Sequence, residues 1–152
     1  MIFNEVNQFK DAQHEALMGL WWSGVLLKQQ ARTFFRDHIV SESQFNVMMA
    51  LRYAEKPLSQ QELSIRLLVD KSNLTGLIDS LEKLDFVKRC KVPDDRRSYQ
   101  LELTKPGADF LNRVETSYRE LVERIMSVFD ADELRQITDY MVRLQAGLEH
   151  RQ

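Results

Sequence analysis

The sequence predicts a mainly α-helical chain with a small two-stranded β ribbon, an α+β arrangement. Three observations support this fold class. Apolar residues recur at helical intervals along most of the 152 residues, and five glycines and three prolines leave long segments uninterrupted. The period changes to strand-like alternation between residues 86 and 103. Polar segments with helix-capping patterns separate the predicted helices.

Composition limits the class of protein. The chain is 43% hydrophobic and 29% charged, which suits one domain with a buried core. No apolar run approaches the roughly 18 residues that a membrane span needs, and the segment Met1–Glu5 lacks the pattern of a signal peptide. Cys90 is the one cysteine, so an internal disulfide is excluded. We therefore expect a cytoplasmic protein.

Charge is distributed unevenly along the chain. The formal net charge of −2 argues weakly against binding to nucleic acid. Residues 88 to 97, however, hold five basic and two acidic side chains, a local charge of +3 that leaves −5 for the rest. Such a basic patch can bind phosphate with marked salt sensitivity. Its members are Lys88, Arg89, Lys91, Arg96 and Arg97, with Asp94 and Asp95 as the acids.

Two helices are predicted in the first third of the chain. Apolar spacing predicts a long first helix over residues 6 to 37. Ser41 and Gln44 then form a capping box that opens a second helix, which ends before Pro57. The apolar face of this second helix is predicted to hold Phe45, Met48, Met49 and Tyr53.

Two short helices around a brief connection predict a helix-turn-helix. Ser59 and Glu62 form a second capping box, and Asp70 is placed to cap a helix over about residues 70–84, called here the recognition helix. The first of the two helices is predicted to bury Leu63, Leu67 and Leu68. The recognition helix is predicted to bury Leu74, Leu77, Ile78 and Leu81, and to expose Lys71, Ser72, Asn73, Thr75, Gly76 and Asp79.

A β ribbon directly after the recognition helix predicts a wing. Residues 86–92 and 99–103 suit two strands, joined by a charged loop over residues 93–98 that forms the wing tip. Cys90 is expected on the inner face of the first of these strands, as a small apolar residue. Residues 41–105 are therefore predicted to form a winged helix-turn-helix lobe.

The ends of the chain predict a helical dimerisation region, residues 1–40 and 106–152. Thr104 and Asp130 are placed to cap two further helices. With the first helix, these helices have more apolar surface than a small lobe can cover, so we expect pairing with a second copy of the chain. Their predicted inward residues are Leu111, Val114, Tyr118, Leu121, Ile125 and Phe129, then Leu134, Ile137, Met141, Leu144 and Leu148.

An ordered set of motifs resembles the MarR family (multiple antibiotic resistance regulators). It consists of the segment from Leu58 to Leu63, that from Lys71 to Lys83, Phe86–Arg89, Pro93–Arg97, and Leu103-Thr104 with Gly107. Asp85 departs from the family pattern, which usually has glycine after the recognition helix. We expect the turn to survive there, because aspartate tolerates the left-handed conformation better than most residues.

The resemblance implies a homodimer that binds a pseudo-palindromic operator in duplex DNA and regulates transcription, most often as a repressor. It also implies that a small aromatic or lipophilic ligand releases the DNA and that the protein associates with the nucleoid when bound. Neither a cofactor nor a metal is expected, because the histidines of this sequence form no metal-ligand pattern. The wing residue Arg97 matches the family arginine that enters the minor groove, and Asp95 the acid that orients it. The expected DNA-contacting residues are Ser59, Gln60, Lys71, Ser72, Asn73, Thr75, Gly76, Asp79, Asp95, Arg96, Arg97 and Ser98.

Structural roles compete with several of these assignments. Ser72 and Asn73 would in isolation serve equally well to satisfy free amides in the first helical turn. An isolated Asp-Asp-Arg-Arg loop is usually a solvated turn. A ligand pocket is expected to involve Trp21, Trp22, Phe45, Met48 and Phe110, although such aromatic residues at helical spacing more often form core or a dimer interface.

Other classes of function are less well supported. His14, His38 and His150 are far apart and form no metal-ligand pattern, and neither a phosphate-binding loop nor a nucleophile elbow occurs, so an enzyme is not expected. A redox-sensing regulator would need a reactive Cys90, whose basic neighbours Arg89 and Lys91 should point to the opposite face of the strand. A protein-binding adaptor that keeps the fold is the remaining alternative.

Overall fold

A computed structural model describes residues 11–92 and 95–149, with the backbone alone described at residues 92 and 95–98. These residues form six helices and a three-stranded sheet, which confirms the predicted mainly α fold. The helices are α1 (Ala12–Phe35), α2 (Glu42–Arg52), α3 (Gln60–Leu67), α4 (Lys71–Lys83), α5 (Lys105–Met126) and α6 (Ala131–Glu149), and the strands are β1 (Leu58–Ser59), β2 (Val87–Val92) and β3 (Asp95–Leu103).

The first helix is shorter than the apolar pattern predicted. Asp11 is its N-cap, with an extended backbone and a carboxylate that accepts a hydrogen bond from the backbone N–H of His14 at 2.7 Å. The predicted helical residues 6–10 lie outside the described part of the chain. At the other end the helix stops at Phe35, and Arg36 is its C-cap.

Both predicted capping boxes are confirmed. Ser41 and Gln44 exchange reciprocal bonds at the start of α2, and Ser59 and Glu62 do the same at the start of α3. Each box satisfies two backbone N–H donors that the helix itself leaves free. The backbone N–H of Ser59 donates to the Glu62 carboxylate and lowers the pKa of that group.

Within the winged lobe, two residues predicted to be buried are exposed instead, because each one ends a helix. Tyr53 is the C-cap of α2 and is exposed. Leu68, the C-cap of α3, has φ 52° and is 90% exposed, since the left-handed backbone turns its side chain away from the helix face that Leu63 buries. Leu67 is half-buried.

The sheet contains one strand more than predicted and a shorter wing loop. The antiparallel order is β1-β3-β2, in which Leu58 of β1 is paired with Leu101 of β3. The short β1 was not predicted, because two residues carry no readable alternation. The third strand begins at Asp95 rather than at residue 99, so Arg96, Arg97 and Ser98 are strand residues and not loop residues.

The described chain divides into two compact units, one ending at Asn112 and one beginning at Arg113. In the first, helices α2 to α4 and the sheet enclose a core around residues that are almost fully buried. These include Phe45, Val47, Met48, Leu63, Leu74, Ile78, Leu81 and Leu111. Leu74, Ile78 and Leu81 are thus on the buried side of α4 as predicted, and Leu77 is half-buried beside them.

The second unit contains most of α5 and all of α6. Asp130 caps α6 as predicted, since its carboxylate accepts from the backbone N–H groups of Asp132 and Glu133. The apolar row of α6 is not buried within one chain: Leu134, Ile137 and Met141 are half-buried, while Leu144 and Leu148 are exposed. None of the helices described is long and apolar enough to cross a membrane.

Candidate nucleic-acid interface

The recognition helix α4 has one buried and one fully polar face. Leu74, Ile78 and Leu81 are buried against the lobe. The opposite face is exposed at all six predicted positions, Lys71, Ser72, Asn73, Thr75, Gly76 and Asp79. An added Cβ at Gly76 would meet no atom within 4 Å, so this face also has a point where another molecule can approach the backbone closely.

The free backbone amides in the first turn of α4 are not capped by the helix's own side chains. Asp70 is at the N-cap, but its carboxylate makes no capping hydrogen bond, contrary to the sequence expectation. Within the described part of the chain, the side chains of Ser72 and Asn73 also have no hydrogen-bond partner. The alternative in which these two residues merely satisfy first-turn amides is therefore disfavoured.

Three other predicted contact residues make hydrogen bonds inside the lobe. The Thr75 hydroxyl donates to the backbone C=O of Lys71 at 2.8 Å and accepts from Gln60 Nε2 at 2.6 Å. The Ser59 hydroxyl is committed to the Glu62 carboxylate at 2.8 Å. Thr75 and Gln60 join the recognition helix to α3, while Ser59 fixes the start of α3.

Arg89 of the wing strand holds the recognition helix from the other side. Its guanidinium donates to Asp79 Oδ1 at 2.7 Å and to the Glu82 carboxylate, and its backbone N–H donates to Glu82 Oε1 at 3.1 Å. The Arg89 side chain is only 26% exposed. Asp79, an expected DNA contact, is thus paired within the protein. Arg89, predicted from the sequence only as part of a basic patch, is a positioning residue.

The alternation of side chains along β2 could have predicted this role of Arg89 from the sequence. Side chains alternate along β2, so Arg89 shares a face with Val87, which is buried. Glu82 lies three residues after Asp79, on the same side of α4. Helix and strand periods together therefore bring the two carboxylates and the guanidinium to one helix–strand contact.

The wing is an antiparallel hairpin of β2 and β3, with a register irregularity at Lys91 and Val92. The backbones of Asp95, Arg96, Arg97 and Ser98 lie at the start of β3, beyond that irregularity. Pro93 and Asp94, predicted for the wing tip, lie outside the described residues. Asp85 precedes the wing with φ 58°, which confirms that aspartate accommodates the left-handed turn usually made by glycine.

Comparison with known proteins agrees with this geometry. Residues 40–99 match the model of the MarR family. The homoprotocatechuate degradative operon repressor of Escherichia coli is 29% identical over 116 residues, which cover 73% of this chain and 77% of that protein. The regulator PecS of Dickeya dadantii is 26% identical over 126 residues, covering 82% and 76%. The chain belongs to the MarR family.

Solved structures of MarR-family proteins support the same fold. AbsC of Streptomyces coelicolor superposes with a TM-score of 0.85 at 18% identity, covering 95% of this chain and 99% of that one. MepR of Staphylococcus aureus, in a complex with DNA, superposes with a TM-score of 0.76 at 16% identity, covering 93% and 99%. Family membership confirms that this protein is a transcriptional regulator and not an enzyme.

Cys90 of this MarR-family chain lies on the outer face of the wing, not on the inner face expected. Val87 and Arg89 face α4, so alternation turns Lys88 and Cys90 away from it. Burial and the neighbouring Glu102 carboxylate raise the pKa of the Cys90 thiol. A raised pKa lowers the thiolate fraction at neutral pH, which disfavours a redox-sensing role.

Ion pairs within the protein also reduce the number of cations that the basic patch of the wing can offer to a ligand. Lys88 Nζ is 2.9 Å from Glu102 Oε2 and Arg89 is paired with two carboxylates, so two of the five basic residues are neutralised within the protein. Lys91 is exposed. Among the described residues, no cluster of three or more His, Cys, Asp or Glu side chains could hold a metal ion.

Burial divides the five residues predicted to line a ligand pocket. Phe45, Met48 and Phe110 are buried in the first unit, where Phe110 stacks on Phe86 at 5.0 Å between ring centroids. Trp21 and Trp22 are exposed on α1, at 69% and 46%. The structure of one chain therefore does not bring the five side chains to a common surface.

Proposed function

We propose that this MarR-family regulator binds a pseudo-palindromic duplex operator as a homodimer, with α4 in the major groove and the wing tip in the minor groove. The observation that carries this proposal is the exposed polar first turn of α4, formed by Lys71, Ser72 and Asn73, where the side chains of Ser72 and Asn73 have no hydrogen-bond partner among the described residues. Short hydrogen-bonding side chains suit base edges, and a helix N-terminus favours nearby phosphate. Gly76 lets the backbone approach the duplex.

Arg97 is proposed to insert into the minor groove. A narrow A·T-rich minor groove has an enhanced negative potential that attracts arginine. An arginine side chain carries roughly 2 kcal/mol of rotamer entropy, so orientation by Asp95 would reduce the loss on binding. The position of both residues at the start of β3 and their match to the family motif support this role.

Dimerisation is proposed through the helices at the two ends of the chain. Helix α1 exposes seven large apolar side chains, and α6 exposes four more. Apolar area on this scale is unusual for a monomer and is stabilised by pairing with a second copy. The exposed residues are Leu17, Leu20, Trp21, Trp22, Val25, Leu26 and Leu27 on α1, and Tyr140, Val142, Leu144 and Leu148 on α6.

Repression and ligand release complete the proposal. One relative is named as the repressor of a degradative operon, which supports repression as the sign of regulation. We propose a small aromatic or lipophilic effector that reaches Trp21 or Trp22, both exposed in the single chain. As a regulator of transcription, the protein is proposed to act in the cytoplasm, associated with the nucleoid when bound to DNA.

Fluorescence-anisotropy titration tests the proposed function. A duplex from the protein's own promoter region and a scrambled duplex are titrated at two salt concentrations. We expect selective binding at two subunits per site that weakens as salt rises. Equal, weak binding to both duplexes at every site within the locus would contradict sequence-selective regulation there.

The wing is tested by Arg97→Ala, which should weaken operator binding at least about tenfold, a loss of about 1.4 kcal/mol. Dimerisation, measured by sedimentation equilibrium, should be unchanged. Lys105→Ala is a matched control, because Lys105 is an exposed cation at the start of α5. Equal affinity for the Arg97 variant and the wild type would remove the wing from the mechanism.

A further inference from the structure

A row of cations on α1 lies outside the winged lobe and has no role in the function proposed above. Lys28, Arg32 and Arg36 follow one another at four-residue intervals, so they lie on one side of the helix, and all three are exposed. In the part of the chain that the structure describes, Lys28 and Arg32 make no ion pair. Arg36 Nε is 3.6 Å from Oδ1 of its neighbour Asp37.

This cationic row borders a hollow at the start of α2. The hollow has a volume of about 340 Å³ and is lined by the three cations together with Phe35, Ser41, Glu42 and Ser43. Phe35 is buried and its ring contacts that of Phe45 at 4.9 Å, which fixes the end of α1 against the lobe. The position of the cations relative to the lobe is therefore set by core packing.

The same surface continues to the recognition helix. Ser43 also lines a neighbouring hollow formed by Asp70 and Asn73, at the start of α4. The side chain of Gln44 caps α2 and donates to Ser80 Oγ of α4 at 2.8 Å, which ties the two helices together. A ligand that lies along the first turn of α4 can thus extend past Ser43 toward Arg32.

We propose that Lys28, Arg32 and Arg36 contact backbone phosphates of the same DNA duplex, next to the segment that α4 contacts. The inference rests on the proposed function. Lys28 and Arg36 are separated by about 12 Å along the helix axis, at 1.5 Å per residue. Cations spread over that length suit the regularly spaced charges of a DNA backbone better than one small anion, which would require converging donors.

The negative charge of Glu42 should affect DNA binding in the opposite direction to the three cations. Its carboxylate is half-buried and lines the same hollow as the cations. A phosphate placed there would be repelled by this charge. Glu42→Gln should therefore strengthen binding to duplex DNA, whereas loss of the cations should weaken it.

The test compares the salt dependence of DNA binding for four proteins. These are the wild type, Lys28→Gln/Arg32→Gln, Glu42→Gln, and Lys105→Gln, a control that removes one exposed cation away from the hollow. Each is titrated with the operator and a scrambled duplex between about 50 and 200 mM chloride. We expect the double variant to lose about 1.8 from the slope of log affinity against log salt, at about 0.9 per phosphate. Over this range, the loss of DNA affinity caused by salt should therefore be roughly tenfold smaller than in the wild type. The reduction should be equal on both duplexes.

Two results would contradict contacts between these cations and the DNA backbone. A slope in the double variant equal to those of the wild type and Lys105→Gln would overturn the proposal. If inorganic phosphate at constant ionic strength weakens DNA binding by the wild type but not by the double variant, and the slopes agree, the hollow holds a small anion and the proposal is wrong.

Failure of the proposed function would look different. A wild type that binds neither duplex would refute DNA binding and this inference together, while selective wild-type binding with unchanged slopes would refute only this inference. Circular dichroism and sedimentation confirm that each variant folds and associates normally. If the double variant does not fold, Arg32→Gln alone should lower the slope by about 0.9.

Discussion

Replacing Gly107 by alanine should destabilise the winged unit, although alanine is the better helix former. Gly107 is buried near the start of α5, and its N–H donates to Thr104 Oγ1 at 3.1 Å. A Cβ at this position would lie 2.2 Å from the backbone oxygen of Phe86. That oxygen already accepts from the backbone N–H of Thr104 at 3.0 Å, so it is not free to move aside.

The magnitude follows from three contributions. Overpacking of a tight site costs about 1–3 kcal/mol, and the strained Phe86–Thr104 hydrogen bond is worth about 1 kcal/mol. Replacing glycine by alanine within a helix returns about 1 kcal/mol. The free energy of unfolding should therefore fall by about 1–3 kcal/mol in Gly107→Ala.

Gly76→Ala is the matched control. Gly76 is also helical, but it is exposed and a Cβ would meet no atom within 4 Å, so this variant should gain up to about 1 kcal/mol. Urea unfolding followed by circular dichroism, at one fixed protein concentration, measures both changes. A Gly107→Ala variant as stable as Gly76→Ala would refute the steric argument.

Three further predictions concern paired groups. Arg89→Met should leave the carboxylates of α4 without their partner, costing on the order of 1 kcal/mol of unfolding free energy in urea melts and weakening operator binding; unchanged operator affinity would contradict its positioning role. Glu102→Gln should lower the pKa of Cys90, because the lost carboxylate helps to raise it, so the pH profile of iodoacetamide alkylation should shift to lower pH; an unshifted profile would disprove the coupling. The lowered pKa of Glu62 stabilises the fold above its ordinary value of 4.5, and this contribution is lost as pH falls through the folded pKa. The stability difference between wild type and Glu62→Gln should therefore shrink with acidity in urea melts from pH 7 to about pH 3.5, and parallel curves would refute the assignment.

Local sequence was sufficient for most of the secondary structure. The boxes Ser41–Gln44 and Ser59–Glu62 are satisfied by bonds between residues three apart, so they are readable without any tertiary contact. The buried stripe of α4 follows in the same way from helical period. The prediction of burial was wrong for Leu68 and Tyr53, because the helical period does not show at which residue a helix ends.

The amino-acid sequence by itself determined the fold class, the recognition helix with its exposed polar face, and the family, because all of these depend on short-range periodicity and ordered motifs. Only the tertiary structure decided which charges remain available to a partner. Arg89 and Asp79 are ten residues apart and bond to each other, while Lys28 and Arg32 remain unpaired in the described chain. Helix and strand periods place Asp79, Glu82 and Arg89 on particular faces of α4 and β2. These charges pair only because the two faces pack against each other, and that packing is decided by the tertiary structure.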